Sequence, residues 1–475
     1  MKLKDILKGV CECDSEVEVT DIITDTRKIV KNALFVCIKG ERFDAHDFAA
    51  EMLKKGAVAV VCERDLGFSE QYVVSSTRNA LSIMASNFYG NPSKSLKLIG
   101  VTGTNGKTTS TYILKQALES MGHRTGLIGT IEYDTGFRRI HATNTTPEPM
   151  QLQSVFSEMV DSGCEYVVME ASSQALAQGR LFGEHFAGAI FTNLTEDHLD
   201  YHKTKENYFL AKKMLLDNSD VAIVNADDEA GKRLLEIKPC KVRGFSLCGK
   251  SDFNAENIKL SAFGVSYWAE FDNKAYLVKF PMAGEYSVKN SLGVLALLYE
   301  LGFEPNDIIN GLLECQGVRG RNEIIPTGKD FTVICDFAHT PDALRKILTQ
   351  VKQFTSGDLY CLFGAAGERD AVKRPLMGEV VSTLSDYIIL TSDNPANEDE
   401  QKIADDVLKG IKNHETPYTV ILDRVEAINY AIGLLKAGDV LVLAGKGHED
   451  YQQIGDEKIP FDEREIVREA LEKLR

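Results

Sequence analysis

The chain has 475 residues, with 54 Lys and Arg against 70 Asp and Glu, for a formal net charge of -16. That length suits two to four domains at about 100–200 residues each, and 44% hydrophobic with 26% charged residues gives no reason to expect a disordered or collagen-like chain. The acidic balance speaks against coating nucleic acid or an anionic membrane, because counterion release needs a basic face; an anionic ligand then needs a locally basic pocket. No apolar run approaches the roughly 20 residues that cross a bilayer, and the start, MKLKDILKGVCECDSE, turns acidic before a secretory apolar region develops. The chain reads as cytoplasmic.

Taken in chain order, three blocks emerge. The first, residues 1–95, holds the strand-like runs ALFVCI and AVAVVCE around a helix-like DFAAEMLKK, a small α/β unit. The second, 96–319, opens at KLIGVTGTNGKTT and alternates apolar strands with helical stretches, as in a mostly parallel sheet covered on both faces. Between Phe253 and Phe280 the pattern becomes alternating and aromatic-rich, which suggests an antiparallel insertion. The third, 320–475, alternates again and reads as a Rossmann-like sheet, whose ligands gather at the carboxyl ends of the strands. The ten cysteines are scattered, several in apolar strand-like runs, and Cys11 and Cys13 lack a second ligand pair, so all ten read as plain thiols.

The strongest chemical signal is Gly103-Thr104-Asn105-Gly106-Lys107-Thr108-Thr109, placed after a strand and before a helix. Glycines let the backbone approach phosphate oxygens, the helix start supplies unpaired N–H groups, Lys107 adds charge, and the Thr108 hydroxyl can ligate Mg²⁺. The loop is shorter than the commonest form, whose first glycine would fall at Val101. Glu170 ends the strand YVVMEA and is a credible Mg²⁺ ligand, since that ion takes hard oxygens from one or two carboxylates plus phosphate and water. After a further strand comes Asn193-Leu194-Thr195-Glu196-Asp197-His198-Leu199-Asp200-Tyr201-His202, a carboxylate and imidazole cluster of catalytic or metal-linked type. In the third block, strand ends carry Asp336-Phe337-Ala338-His339, Gly367-Glu368-Arg369-Asp370, Asp393-Asn394-Pro395-Ala396 and Gly445-Lys446-Gly447-His448-Glu449. The arginines there suit carboxylate and phosphate, because a guanidinium donates two parallel hydrogen bonds.

In this order the motifs resemble the Mur ligase superfamily, and within it the branch that adds the third peptide residue to UDP-N-acetylmuramoyl-L-alanyl-D-glutamate. The likeness covers nearly the whole chain, from Asp25-Thr26-Arg27 and FDAHDF through TGTNGKT, NTTP, MEASSQALAQGR, NLTEDHLDYH, Ala211-Lys212, GRNE, DFAHTPDAL, GERD and DNPA to GKGHE. It implies three domains and an ATP-dependent amide ligase of peptidoglycan precursor synthesis. Lys107 and Thr108 would serve ATP phosphates and magnesium. Glu170 and His198 would hold metal, joined by Lys212 carrying a carbamate. Asn290 would contact adenine, Arg321 the phosphates and Asp336 the ribose. Thr26, Asn144, Thr145, Thr146, Ser172, Gln178, Arg180 and His339 would grip the UDP-sugar-dipeptide, and Arg369, Asp393, Asn394, Ala396, Gly445 and Glu449 would surround the incoming amino acid. Three positions depart from the family pattern: Gln174 for a histidine, Ser287 in the segment before Asn290, and Phe337 for a tyrosine.

The implied chemistry is attack of a glutamyl carboxylate on the γ-phosphate of ATP, giving an acyl phosphate that the amine of the amino acid then opens. Relatives that add meso-diaminopimelate carry an arginine where this chain has Ala396, and a buried distal carboxylate without it would be left unpaired. The expectation is therefore L-lysine, with meso-diaminopimelate as the alternative that GKGHEDYQ favours. Another Mur or folylpolyglutamate-type ligase and a non-catalytic nucleotide-binding scaffold are the remaining readings. The partners expected are small molecules, with no nucleic acid and no membrane insertion, and the chain is expected to be a monomer.

Overall fold

The computed structural model describes residues 1–28, 31–40, 43–195, 199–261, 264–412 and 415–474. Four short strands, β1 (Ile22–Ile23), β2 (Leu34–Val36), β3 (Ala59–Cys62) and β4 (Gln71–Val73), form an all-parallel sheet in that order. Successive side chains of a strand point to opposite faces, and the two faces are both buried. Leu34, Val36 and Val61 pack on one side, Phe35, Cys37, Val60 and Cys62 on the other.

The second sheet is built on β5 (Lys97–Thr102), β6 (Thr125–Ile128), β7 (Glu132–Asp134), β8 (Arg139–His141), β9 (Tyr166–Glu170), β10 (Gly188–Phe191), β11 (Val221–Asn225) and β12 (Lys241–Ser246). Their order is β12-β11-β10-β5-β9-β6-β7-β8, parallel except for the β6-β7-β8 meander. Strands β13 (Phe253–Ser261), β14 (Gly264–Phe271) and β15 (Lys274–Phe280) occupy the aromatic-rich stretch, and the burial of β14 alternates along its length as its sequence pattern requires. Helix Thr77–Phe88 is tied to this layer at Gly179: Ser82 Oγ donates to its carbonyl at 2.6 Å, and a Cβ there would lie 2.3 Å from Asn79 Oδ1.

The third sheet contains β16 (Glu323–Ile325), β17 (Thr332–Asp336), β18 (Leu359–Phe363), β19 (Tyr387–Leu390), β20 (Tyr418–Val420) and β21 (Val440–Ala444), in the order β16-β17-β21-β18-β19-β20. All neighbours are parallel except β16 with β17. A separate hairpin of β22 (Tyr451–Ile454) and β23 (Glu457–Pro460) follows. The α/β class and the mostly parallel central sheet are as expected from the sequence. By the density of contacts the chain divides into two compact units, Met1–Glu256 with Trp268–Val278 and Lys289–Glu314, and Asn257–Tyr267 with Lys279–Val288 and Cys315–Arg475.

All ten cysteines are free thiols, as their spacing suggested, and burial pushes those of Cys37 and Cys361 up to about 12. Cys13 Sγ donates to Tyr72 Oη at 3.3 Å. Among the described residues no helix is long and apolar enough to cross a membrane.

One buried ion pair organises the strand ends of the third sheet. Arg424 donates to Glu463 Oε1 through Nε at 2.9 Å and Nη2 at 2.7 Å, and both side chains are fully buried. The same guanidinium donates to Ser392 O at 3.2 Å and Ala444 O at 2.9 Å, so it holds the ends of β19 and β21 together. Breaking a buried pair leaves an uncompensated charge; Arg424→Met should lower the unfolding free energy by about 3–5 kcal/mol, read from urea denaturation.

Candidate active site

Strand order β10-β5-β9 sets three chain segments side by side at one sheet edge. Thr102 pairs with Phe191 on one side of β5 and Val101 with Glu170 on the other, so the glycine loop, Glu170 and Thr192-Asn193 emerge together. Gly103 and Gly106 have φ of 144° and 88°, and a Cβ at Gly103 would fall 1.9 Å from Thr192 Oγ1. At Gly106 it would fall 2.9 Å from Asn290 Oδ1, which places the expected adenine contact against this loop. Glycine is required here both by the backbone conformation and by the close approach.

The loop is braced from the neighbouring strand. Asn193 accepts from Asn105 N–H at 3.1 Å and donates through Nδ2 to Asn105 O at 3.1 Å, while Thr192 Oγ1 donates to the same carbonyl at 2.6 Å. Thr104 Oγ1 accepts from Thr195 N–H at 3.0 Å and lies 3.2 Å from Tyr208 Oη. The helix Lys107–Ser120 that follows starts at Gly106 without a side-chain cap, whereas helices starting after Ser76, Thr204, Thr340 and Asp423 are capped by those side chains. Its first N–H groups therefore face the loop, where a phosphate fits.

Two ammonium groups meet at the loop entrance. Lys107 Nζ donates to Gly103 O and Thr104 O, each at 2.9 Å, and the buried Lys212 Nζ donates to Gly103 O at 2.7 Å. Thr108 is buried and Thr109 half-buried behind them. Glu170 is fully buried; its Oε1 accepts from Thr130 N–H at 2.8 Å and its Oε2 from Thr130 Oγ1 at 3.1 Å. A Cβ on Gly129 would sit 2.6 Å from Oε1, so Gly129-Thr130 forms the wall that aims the carboxylate. The donor set fits ATP and Mg²⁺: a backbone cradle that any side chain would fill, two cations, a hydroxyl and a hard carboxylate.

Thr145 and Thr146 are drawn into the same edge. Thr145 Oγ1 lies 3.1 Å from Thr130 Oγ1, Thr146 Oγ1 donates to Glu170 O at 2.7 Å, and Ser172 N–H donates to Thr146 Oγ1 at 3.0 Å. Asn144 O accepts from Tyr133 Oη at 2.5 Å. Arg180 donates to Thr146 O at 2.8 Å, to Gln178 Oε1 at 3.0 and 2.8 Å, and pairs with Glu148 at 2.8 Å. The residues expected to grip the sugar-dipeptide from this layer are thus one connected group, and Thr26 lies apart on the turn after β1, beside the Asp25–Arg27 ion pair.

His198 lies outside the described residues. His202, from the same cluster, is buried with Nε2 2.9 Å from Ser173 Oγ, next to Gln174. Asn193 and Thr195, of the same cluster, brace the glycine loop. Among the described residues no group of three His, Cys, Asp or Glu side chains is gathered to hold a metal.

In the second unit Asp336 ends β17, accepting from Asn322 N–H at 2.7 Å and Ala338 N–H at 2.9 Å; the desolvation of its surroundings pushes its pKa up against the pull of Arg321 and those amides. Arg321 stacks over the Phe337 ring at 4.7 Å, and the His339 and His448 rings lie at 4.6 and 4.7 Å, so phenylalanine retains the aromatic platform at this position. His339 is exposed, with Nδ1 2.8 Å from Phe337 O.

The loops after β18, β19 and β21 converge. Gly367 N–H donates to Asn394 O at 2.8 Å, and a Cβ there would collide with Pro395 O at 1.8 Å, which brings the loop of Arg369 onto that of Asn394. Gly445 has φ of 114° and faces Asp393, whose Oδ2 would be 2.5 Å from a Cβ. Asn394 Nδ2 donates to Glu449 Oε2 at 2.9 Å. Ala396 has φ of 51°; its N–H donates to Gln453 O at 3.2 Å and its carbonyl accepts from Gly455 at 2.8 Å, so the β22-β23 hairpin clamps it. Thus Arg369, Asp393, Asn394, Ala396, Gly445 and Glu449 belong to one loop cluster. Asn193, Thr130 and Lys446 were missed as individual residues by sequence reasoning, although the first and last stand inside motifs it singled out.

The chain was compared with known proteins. Residues 18–89 match the description "Mur ligase family, catalytic domain", 101–298 "Mur ligase middle domain", and 320–447 "Mur ligase, glutamate ligase domain". The chain belongs to the Mur ligase family. It is similar over 100% of both chains, at 44% identity, to UDP-N-acetylmuramoyl-L-alanyl-D-glutamate--2,6-diaminopimelate ligase 1 of Clostridium acetobutylicum, and likewise over 100% of both at 42% to the corresponding ligase of Clostridium tetani. A solved structure titled as the same ligase is 29% identical with a TM-score of 0.73, covering 100% of this chain and 99% of the other. A Thermotoga maritima MurF ligase in complex with ADP shares the fold, with a TM-score of 0.62 at 19% identity over 95% of this chain and 97% of that one.

This Mur ligase is an ATP-dependent acid–amino-acid ligase with three Mur ligase domains. The full-length relatives are named for 2,6-diaminopimelate, which supports the alternative of meso-diaminopimelate better than the expectation of L-lysine. It rested on a single side chain. Ala396 sits in a loop held against the loops after β18 and β21 and against the β22-β23 hairpin.

Removing the Asn193 brace should loosen the loop without touching nucleotide chemistry directly. Asn193→Ala should lower kcat/KM for ATP about tenfold, with KM for the amino acid within about twofold, in steady-state kinetics of ADP release.

Proposed function

We propose that the enzyme joins meso-2,6-diaminopimelate to the D-glutamyl γ-carboxylate of UDP-N-acetylmuramoyl-L-alanyl-D-glutamate, a cytoplasmic step of peptidoglycan precursor synthesis carried out by a monomer. The observation that carries the reading is the identity with ligases so named over the entire chain, 44% and 42% in two of them. The loop clusters at the strand ends support it, because they supply separate groups for a polyphosphate, a sugar-dipeptide and an amino acid. Residues 1–95 are assigned to the UDP-sugar, 96–319 to ATP and 320–475 to the amino acid.

An amine does not displace oxide from a carboxylate at useful rates, so the carboxylate needs a leaving group first. A carboxylate oxygen of the dipeptide forms a bond to the γ-phosphorus of ATP as the bond to the β-phosphate oxygen breaks, giving an acyl phosphate and ADP. The deprotonated amine then bonds to the acyl carbon, and inorganic phosphate leaves with the electrons of the C–O bond. Two anions meet in the first step. Lys107 and the N–H groups of the glycine loop lower that repulsion, and Arg321 and Asp336 are assigned to the phosphates and ribose. Thr108, Glu170 and His198 are assigned to hold Mg²⁺, which would supply the remaining charge neutralisation. A carbamate on Lys212 would turn a cation into an anionic metal ligand, with its N–H kept for Gly103 O. Thr26, Asn144, Thr145, Thr146, Ser172, Gln178, Arg180 and His339 are assigned to the sugar-dipeptide. Arg369, Asp393, Asn394, Ala396, Gly445 and Glu449 are assigned to the amino acid.

Ligation with meso-diaminopimelate, L-lysine and L-ornithine, read by product mass, tests the reading; meso-diaminopimelate should lead by about 100-fold or more in kcat/KM, and preferential use of L-lysine would refute it. For the carbamate, Lys212→Ala should lower kcat by about 100-fold or more and be partly rescued by a short-chain carboxylate; an unimpaired variant removes the role.

A further inference from the structure

Lys446 has no part in the roles assigned above, yet it is the cation at the centre of the amino-acid loop cluster. Its side chain is fully buried, between glycines at φ of 114° and 53° that turn the chain sharply at the end of β21. Nζ donates to Asn394 Oδ1 at 2.6 Å and to Glu449 Oε2 at 3.0 Å, and lies 3.7 Å from Asp393 Oδ1. All three partners are residues assigned to the amino acid, and they come from two separate loops. Aromatic rings of Tyr451 and Phe461 lie 5.4 and 5.9 Å from the ammonium.

This arrangement decides which way Asn394 faces. An amide oxygen accepts and an amide nitrogen donates. Oδ1 already receives Lys446 and, at 2.9 Å, the N–H of Gln453, so Nδ2 must turn to Glu449, to which it donates at 2.9 Å. Without the ammonium, Asn394 loses one of the two donors that fix its flip, and the carboxylates of Asp393 and Glu449 face each other's field with no charge between them. Two carboxylates near one site repel unless a cation or a shared proton intervenes. The ammonium therefore sets the orientation of the amide and ties it to Glu449.

We propose that Lys446 is a positioning residue for the incoming amino acid, orienting Asn394 and Glu449 for the diamino acid before it binds. The proposal rests on the assignment of Asp393, Asn394 and Glu449 to that substrate, and the test separates the two. Lys446→Met should raise KM for meso-diaminopimelate about tenfold while KM for ATP and for the UDP-linked dipeptide stays within about twofold. Lys446→Gln, which keeps a donor for Asn394 Oδ1 but not the charge, should recover part of the loss. Asn394→Ala and Glu449→Gln serve as controls on the assignment and should raise the same KM. If the controls raise it and Lys446→Met leaves it unchanged, or raises all three KM values alike, Lys446 is structural only and the proposal is overturned. Should Lys446→Met fail to fold by thermal melting, Lys446→Gln decides on the same criterion, with a selective rise of about threefold or more expected. If neither control moves the KM for the diamino acid, the assignment of the pocket fails, and the proposal with it.

Discussion

The side chains of Lys107 and Lys212 converge on one backbone carbonyl, Gly103 O, and the ammonium of Lys107 beside an uncapped helix start gives a sheet edge the local positive field that a chain of net charge -16 needs before a polyanion can enter it. The carbonyl is available to both because a glycine at φ of 144° turns the chain out of β5, and because β10 and the helix Lys205–Asp217 pack against that turn. The same turn leaves the first N–H groups of the next helix uncapped. Field, dipole and backbone geometry thus coincide at one place, and Glu170 completes it by bringing a buried carboxylate to the adjacent strand end. The pairing of Val101 with Glu170 is what sets that carboxylate beside the glycine loop.

Much of this was legible in the sequence because it is local. Gly103 to Thr108 is a contiguous motif between a strand and a helix, and apolar strands ending in polar residues announce the edge where ligands bind. What sequence could not show is which distant residues hold those motifs. Asn193 stands in a recognisable segment, but its amide bridge to Asn105 depends on β10 lying beside β5, a crossover no periodicity reveals. The imidazole of His202 looked like chemistry from its neighbours in sequence, and three-dimensional packing turns it to Ser173. Thr130 carries no motif at all and is identified only by its two bonds to Glu170.

The third sheet teaches the same lesson about specificity. Alternate residues of its central strands enter opposite cores, Ile334, Cys361 and Val442 on one side and Val333, Leu362 and Leu441 on the other, so each of these strands is anchored on both faces. Short loops at the strand ends are tied together: Arg424 ties β19 to β21, Lys446 ties Asn394 to Glu449, and the β22-β23 hairpin clamps Ala396. Reading the amino acid from position 396 alone treated one side chain as the pocket. The loop cluster is a property of four segments and not of position 396 alone.

The triphosphate is received by the glycine loop and the ammonium of Lys107. The most direct measurement is a crystal structure with a non-hydrolysable ATP analogue and Mg²⁺. Phosphate oxygens should lie against the backbone N–H groups of Gly106 to Thr108 and the ammonium of Lys107, with the metal on Glu170. A triphosphate lodged away from Gly103 and Lys107, with Glu170 bare of metal, would contradict it.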